Sequence, residues 1–335
     1  MATMKDIAKL AGVSKATVSH VINNTRFVSE EIRVRVMDII NELGYQPSQV
    51  ARSLKVKKTK TIAFIIQDSS NTYYNEICKG IESICYKNGY SIIICNPDGN
   101  WDKEQGYINT LIKKQVDGIV GDFISNDDKL IEILSNIKIP VMIMNREFDG
   151  YKTDYIAADD FQGGYLATKY LLNQGHKKIA CITAPVPKSH NVNKRLLGFK
   201  AAFKEMNIEY DDSLIIRSYF HIKGGYDCIL SLMERKNKPT AAVFYSDIMA
   251  IGALSACGRL NIKVPDDFSI IGYDDIEQAS YTYPKLTTVS NPKYEMGVKI
   301  AETLINRINN KDLDYKKEVL STSLIIRESC REFKK

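Results

Sequence analysis

The chain has 335 residues, of which 44% are hydrophobic and 26% are charged. This composition is typical of a globular protein with two or three domains, and it excludes disordered and fibrous proteins. The formal net charge of +6 is unevenly placed, because residues 1–60 contain eleven Lys and Arg against five Asp and Glu whereas the rest of the chain is balanced. A basic N-terminal segment on a neutral body predicts a polyanionic partner for that segment.

The seven cysteines are odd in number and never occur as a CxxC pair, so they predict neither a disulfide framework nor a zinc site. The N-terminus MATMKDIAKL has no signal-peptide pattern, and no apolar stretch approaches the roughly 20 residues that span a bilayer. We therefore expect a cytoplasmic protein with free thiols, no cofactor, no bound metal and no membrane partner.

Three short helices are predicted near the N-terminus. Thr3 and Asp6 have the spacing of a capping box. They precede an apolar helical stripe that ends at Gly12 and consists of Ile7, Ala8, Leu10 and Ala11. Ser14 can cap a second helix through KATVSHVIN, and Ser29 a third that packs an apolar face reaching Leu43. Two short helices joined by a tight glycine turn predict a helix-turn-helix.

The second helix is the candidate recognition helix. Its inward side carries Val18 and Val21, which leaves Lys15, Ala16, Thr17 and His20 directed outward. A lysine can donate to guanine, and a threonine can contact a phosphate or a thymine methyl group. These outward residues are predicted to read base edges in the major groove of DNA.

The segment PSQVARSLKV at 47–56 predicts a helix of under three turns, which is marginal alone in water. Val50 and Leu54 are spaced i,i+4, and basic residues including Arg52 and Lys55 surround them. An apolar wedge among cations suits the minor groove of DNA, so we expect the helix to form only on a duplex. The alternative is that Val50 and Leu54 pack against the third helix.

These segments, MKDIAKLAGVSKATVSHVINNTRFVSEEIR and LGYQPSQVARSLKVKKTKTIAFII, resemble the DNA-binding head and hinge of the LacI/GalR repressors, and within them the ribose and purine members. The resemblance continues through VDGIV (116–120), GGYLATKYLLNQGHKKIACI (163–182), DIMAIGAL (247–254), VPDDFSIIGYDDIE (264–277) and LTTVSNP (286–292). It implies a sequence-specific repressor controlled by a small molecule. The DNA-binding residues that it implies are Thr3, Ser14, Lys15, Ala16, Thr17, His20, Ala51, Leu54 and Lys55.

After residue 60, apolar runs alternate with helix-length stretches, which predicts βαβ units and parallel sheets covered on both faces. The runs are TIAFII (61–66), SIIIC (91–95), DGIVGDF (117–123), IPVMIM (139–144), KIACIT (178–183), TAAVFY (240–245) and FSIIGYD (268–274). Their total length favours two lobes.

The fold class is therefore α/β, with an all-α head joined by a hinge helix to this body. The resemblance implies a two-lobed periplasmic-binding-protein-like (type I) body. The expected domains are the helix-turn-helix at 1–46, the hinge helix and linker at 47–60 and the effector-binding and dimerisation body at 61–331, with an N-lobe at about 61–160 and 291–320 and a C-lobe at about 161–290 and 321–331.

Ligands of open α/β lobes bind beyond the carboxyl ends of the strands, so the residues that follow the strands are the candidate pocket. Aromatic rings can cover the C–H faces of a sugar while Asp and Arg bind its hydroxyl groups. The candidates from strand ends and from the resemblance are Tyr73, Tyr74, Arg146, Asn193, Arg195, Phe220, Ser246 and Asp274.

The predicted effector is a pentose such as ribose, although two positions depart from the ribose pattern. Ribose-binding relatives usually carry Arg at the position of Asn193 and favour Asn at Ser246. A purine-type corepressor is the alternative, and the loop VPKSHNVNK (186–194) departs from the purine pattern as well.

Other classes of protein fit the sequence poorly. It contains no GxSxG, P-loop, GxGxxG or HxxxH motif, and its four histidines lie far apart, so we expect no enzymatic activity. An exported sugar receptor of the same fold would have no basic head. A homodimer is expected rather than a tetramer, because the C-terminal RESCREFKK lacks a leucine heptad. The two heads of a symmetric dimer would match a palindromic operator.

Overall fold

The structure is a computed structural model that describes residues 2–45, 58–123, 128–148, 150–184 and 190–333, with the backbone alone for residues 128 and 190–193. It divides into two compact units, Met1–Thr59 and Lys60–Lys335. We call the first unit the head and the second the body.

Three helices form the head: α1 (Met4–Ala11), α2 (Lys15–Asn23) and α3 (Glu30–Glu42). Thr3 and Asp6 form the predicted capping box, and Ser14 caps α2 through the backbone N–H of Thr17. Gly12 follows α1 in the left-handed conformation, with φ 66°, which glycine adopts without a Cβ penalty. The buried core of the head consists of Ile7, Ala8, Ala11, Val18, Val21, Val36 and Ile40.

Two details of the predicted head are wrong, and a third holds only in part. Leu10 and Leu43 were placed on apolar faces, but they are 62% and 38% exposed. Both lie near helix ends, where three helices of this size leave one side of each terminal turn without a neighbour. Ser29 occupies the N-cap position of α3, but its side chain forms no capping hydrogen bond.

The body contains two six-stranded sheets. The first sheet has the order β11-β5-β4-β3-β1-β2 and is entirely parallel in its described pairings, and the second has the order β12-β10-β9-β8-β6-β7 with only β12 antiparallel. The strands of the first sheet are β1 (Thr61–Ile65), β2 (Ser91–Cys95), β3 (Gly118–Gly121), β4 (Val141–Met144), β5 (Asp154–Ala158) and β11 (Lys317–Leu320). Those of the second are β6 (Ile179–Thr183), β7 (Ile215–Arg217), β8 (Ala241–Phe244), β9 (Ser269–Asp274), β10 (Thr287–Ser290) and β12 (Ser323–Ile325).

Helices connect these strands and cover the sheets. They are α4 (Tyr73–Lys87), α5 (Trp101–Lys113), α6 (Asp128–Asn136), α7 (Asp160–Asn173), α8 (His190–Glu205), α9 (Ile222–Met233), α10 (Asp247–Arg259) and α11 (Lys293–Asn309). The central strands β3, β4, β6 and β8 are buried along their whole length, as parallel strands between helical layers must be. No helix within the described ranges is long and apolar enough to cross a membrane.

The chain passes between the two sheets three times. Strands β1 to β5 belong to the first sheet and β6 to β10 to the second, after which β11 returns to the first and β12 to the second. We call the part of the body built on the first sheet the N-lobe and the part built on the second the C-lobe. The α/β fold is thereby confirmed, and the body contains two sheets whose parallel strands each have carboxyl ends at which a ligand can bind.

Candidate functional sites

The solvent side of α2 carries the residues predicted to read DNA. Lys15 and Ala16 are exposed, and Thr17 and His20 are partly exposed, while Val18 is fully buried on the opposite side. The Thr17 hydroxyl lies 2.9 Å from Ser14 Oγ. The start of α2 therefore presents a small residue between an ammonium group and a fixed hydroxyl.

Local hydrogen bonds orient the other candidates of the head. The Thr3 hydroxyl donates to Asp6 Oδ2 at 2.7 Å, and its hydrogen bonds hold the pKa of that carboxyl below its ordinary value. His20 Nδ1 lies 2.8 Å from the hydroxyl of Thr25, beyond the end of α2. Three predicted DNA-binding residues lie outside the described residues, namely Ala51, Leu54 and Lys55.

Four adjacent strands of the second sheet, in the order β10-β9-β8-β6, end at buried polar side chains: Asn291, Asp274, Ser246 and Thr183. Ser246 and Asp274 were predicted as effector-binding residues, and the structure brings them to the same edge. The side-chain oxygens of Asn291 and Thr183 are buried and form no hydrogen bond within the described part of the chain. Because unpaired buried polar groups are costly, this edge is suited to a polar ligand.

Asp274 is the carboxylate of this edge that was predicted to bind the effector. It is only 5% exposed and has φ 104°, a backbone conformation that L-residues rarely adopt. Asn291 Nδ2 donates to its Oδ1 at 3.1 Å, and Lys293 donates to its backbone carbonyl. Burial raises the pKa of the carboxyl to about 7, although the charges of Arg195 and Lys293 oppose the rise.

Arg195 is fixed beside that edge by contacts with three groups. Its Nε donates to Asp160 Oδ1 at 2.6 Å, and its Nη1 donates to the backbone carbonyl of Tyr245 at 2.5 Å. Its guanidinium also lies 3.7 Å from the centre of the Tyr273 ring, a cation–π distance. A Cβ on Gly164 would lie 2.1 Å from the Arg195 carbonyl oxygen, so α7 and α8 approach this closely only because residue 164 is glycine.

The N-lobe contributes a second buried polar group at the ends of β3 and β4. Asp122 directly follows β3, and Asn145 and Arg146 directly follow β4. Asp122 and Arg146 are 4% and 6% exposed, and their charged atoms lie 4.0 Å apart. The predicted residues Tyr73 and Tyr74 lie in the first turn of α4 and are both buried.

The polar groups of the two lobes lie near one another, because Lys293, in the first turn of the helix α11 that packs against α4 of the N-lobe, donates to the backbone carbonyl of Asp274. Burial raises the pKa of Tyr73 well above its ordinary value, and the next two causes are the negative charges of Asp274 and Asp122. Tyr73 and Asp122 belong to the N-lobe, whereas Asp274 ends a strand of the C-lobe. The two sets of strand ends therefore face a common region, which we call the effector cleft.

The remaining predicted residues are less closely connected to this region. Phe220 is half-buried and packs against apolar residues of the body. The side chain of Asn193 lies outside the described residues. A separate cavity of about 670 Å³ lies between the Ser70 to Thr72 segment and residues 276–282, and none of the predicted effector residues lines it.

Sequence reasoning missed several polar residues of the cleft, including Asp122, Asp160, Asn291 and Thr183. Asp122 and Asn291 directly follow a described strand, and Thr183 is the last residue of one. A position at the carboxyl end of a strand is the signal that selected Asp274. Asp160 gave no such signal, because its role depends on Arg195, 35 residues further along the chain.

Comparisons with known proteins agree with both units. Residues 3–48 match the family model described as "Bacterial regulatory proteins, lacI family", and residues 168–330 match the "Periplasmic binding protein-like domain". The ribose operon repressor of Haemophilus influenzae is 43% identical over all of both chains. The HTH-type transcriptional repressor PurR of Vibrio vulnificus is 40% identical over 99% of each chain.

A solved structure gives the same assignment. The LacI family transcriptional regulator from Enterococcus faecium, solved with bound ribose, is 30% identical, has a TM-score of 0.75 and aligns with 82% of this chain and 100% of its own. The resemblance seen in the sequence is thereby confirmed. The chain belongs to the lacI family of bacterial regulatory proteins, as a DNA-binding repressor with a periplasmic-binding-protein-like body.

Proposed function

We propose that this repressor binds a palindromic operator as a cytoplasmic homodimer and releases it when a pentose such as ribose occupies the effector cleft. It acts by binding, with no catalytic step. A symmetric dimer presents two identical heads, which match two half-sites of inverted sequence. The confirmed family membership supports the DNA-binding part of the proposal, and the chemistry of the cleft supports the sugar.

In the head, Lys15, Ala16, Thr17 and His20 contact base edges in the major groove. The small side chain of Ala16 allows close approach, and Lys15 donates to guanine. Thr3 and Ser14 lie at helix N-termini, where backbone N–H groups and hydroxyls bind phosphates. Ala51, Leu54 and Lys55 of the hinge enter the minor groove, with Leu54 as the apolar wedge.

The observation that carries the effector proposal is the presence of buried side-chain oxygens on Thr183 and Asn291, unpartnered within the described part of the chain, at the same sheet edge as Asp274. Hydroxyl groups of a polyol both donate and accept, so one small ligand satisfies all of them and the carboxylate together. Arg146 and Arg195 supply donors from the two lobes. Tyr73, Tyr74 and Phe220 supply apolar faces for the sugar ring, and Asn193 lies near the start of α8.

A purine base acting as a corepressor is the second candidate. The PurR proteins at about 40% identity favour it, and aromatic side chains with two guanidinium groups also suit a planar heterocycle. Purine bases have fewer hydroxyl donors than a pentose, so they satisfy fewer of the unpaired oxygens. We therefore place the pentose first.

The effector acts on DNA binding through the relation between the lobes. A ligand that contacts strand ends of both lobes favours one arrangement of the two, and this alters the spacing of the two hinge segments in the dimer. The coupling is reciprocal, so operator DNA must weaken sugar binding by the same factor.

Calorimetric titration of the purified full chain with ribose and with hypoxanthine tests the effector. The proposal predicts ribose binding that Asp274→Ala abolishes while operator affinity stays within twofold of wild type. Binding of hypoxanthine alone supports the second candidate instead, and an unchanged ribose affinity in Asp274→Ala removes that residue from the site. Leu54→Ala tests the wedge: we expect lost operator affinity with unchanged salt-sensitive binding to random duplex.

A further inference from the structure

Asp122 is the acceptor for several cleft side chains of the N-lobe. Gln67 Nε2 donates to its Oδ1 at 3.0 Å, and Asn145 Nδ2 and the Tyr74 hydroxyl donate to its Oδ2 at 2.8 and 2.9 Å. Arg146 Nη2 lies 4.0 Å from Oδ1. Since β1 and β4 flank β3 in the sheet, Asp122, which follows β3, accepts hydrogen bonds from residues beyond the ends of both neighbouring strands.

An ionised carboxylate only accepts hydrogen bonds, so it determines how its donors point. Because the Asn145 amide directs Nδ2 to Asp122, its Oδ1 is left to accept the hydroxyl of Tyr73 at 3.3 Å. The backbone of Asn145 supports this geometry, since its φ of 66° is a left-handed conformation that asparagine tolerates. Tyr73 also packs edge-to-face against Tyr74, with ring centres 5.2 Å apart.

We propose that Asp122 is a positioning residue for the effector: it holds Asn145 and Tyr74 directly and Tyr73 through Asn145, so that the N-lobe half of the cleft is ordered before the effector binds. The inference deepens the proposed function and rests on it for the identity of the effector. Asp122 does not contact the sugar. Its oxygens already receive three donors, and its contribution is the orientation of the side chains that do contact it.

Burial would disfavour an isolated carboxylate here, and it raises the pKa of Asp122, an effect that Arg146 and the hydrogen bonds oppose. A chain that needed only to fill this space would gain more stability from an apolar residue. A preorganised site binds more tightly because less ordering is left to occur on binding.

The chain offers a matched control on the same strand. Asp117 directly precedes β3 as Asp122 directly follows it, and Asp117 Oδ2 accepts the backbone N–H of Lys60 at 3.1 Å. Both carboxylates are buried, at 8% and 4% exposure. Asp117 lies at the end of the strand away from the cleft, so Asp117→Asn tests a general effect of neutralising a buried acid.

The first measurement uses no sugar. In ¹H–¹⁵N spectra of the full chain, we expect Asp122→Asn to shift the side-chain amide signal of Asn145 and accelerate its hydrogen exchange, with Asn145→Ala used for assignment. Asp117→Asn should leave that signal in place. An unmoved signal in Asp122→Asn would overturn the inference, whether or not ribose binds.

The second measurement is a double-mutant cycle by calorimetry with ribose. We expect Asp122→Asn and Asn145→Ala each to weaken binding about tenfold, and the double variant to weaken it by clearly less than the product of the two losses, because Asp122 acts partly through Asn145 and partly through Tyr74. Multiplied losses in the double variant would show that Asp122 acts separately from Asn145 and would contradict the inference. Failure of the wild-type chain to bind ribose would instead contradict the effector proposal, while the amide spectra still decide the role of Asp122.

Discussion

Replacement of Asp274 by Asn should stabilise the effector-free protein, by an amount that depends on pH. A carboxyl group whose pKa rises from 3.8 to about 7 on folding lowers the free energy of unfolding by about 4 kcal/mol once ionised, since each unit of pKa corresponds to about 1.4 kcal/mol. The folded state holds the proton more tightly than the unfolded state. The stability that this protonation contributes is therefore present at low pH and is lost as the pH rises to about 7.

Asn resembles the protonated carboxyl in size and does not titrate. We expect the free energy of unfolding of Asp274→Asn to exceed that of wild type by about 1–2 kcal/mol at pH 5 and by about 4 kcal/mol at pH 8. The measurement is urea unfolding without effector, followed by circular dichroism. The same variant should bind ribose more weakly, because the acceptor charge is lost. A variant no more stable than wild type at pH 8, or one with an equal gain at both pH values, would refute the reasoning.

Three further predictions concern contacts within single units and are measured by urea or thermal unfolding. Arg307→Ala should lower the free energy of unfolding by about 3–5 kcal/mol, because it leaves a buried carboxylate on β5 unpaired; a loss below 1 kcal/mol would show that the pair contributes little. Gly225→Ala should lower the free energy of unfolding by about 2–3 kcal/mol, since its Cβ would lie 1.9 Å from a backbone carbonyl of α10. Gly106→Ala has open space around it and should raise the free energy of unfolding by about 0.5–1 kcal/mol. Similar effects of the two substitutions would contradict the packing argument. Ser14→Ala should cost about 1 kcal/mol in the head and Ser29→Ala much less, because only Ser14 forms a capping hydrogen bond; equal losses would count against this reading.

The strands could be predicted where burial makes a continuous apolar run. Each of the seven runs predicted in the body contains a strand, and these strands are β1 to β4, β6, β8 and β9. Strand β5 was missed because DYIAA opens with a charged residue. Asp154 is 2% exposed in that strand, where Arg307, 153 residues later, donates to both of its carboxylate oxygens and the backbone N–H of Lys316 donates to one. A local pattern carries no information about such a distant partner.

The cleft could be predicted in part, because the ends of the strands are visible in the sequence. Position after a strand selected Tyr73, Arg146 and Asp274, which the structure brings to one region, although their binding roles stay predictions. Asp122 occupies the same kind of position, yet its importance comes from donors that follow the two neighbouring strands. The order of strands in a sheet decides which side chains meet, and the sequence of a single chain does not state that order.

Operator release by an effector is tested most directly by fluorescence anisotropy at about 0.15 M salt, with the full chain, a labelled palindromic duplex selected from random sequence, and a scrambled duplex. We predict that the selected duplex binds at least about 10³-fold more tightly than the scrambled one. Saturating ribose should weaken the selected complex at least tenfold and leave the scrambled complex unchanged. Equal affinity for the two duplexes, or a selected complex that ribose and hypoxanthine both leave unchanged, would contradict the account.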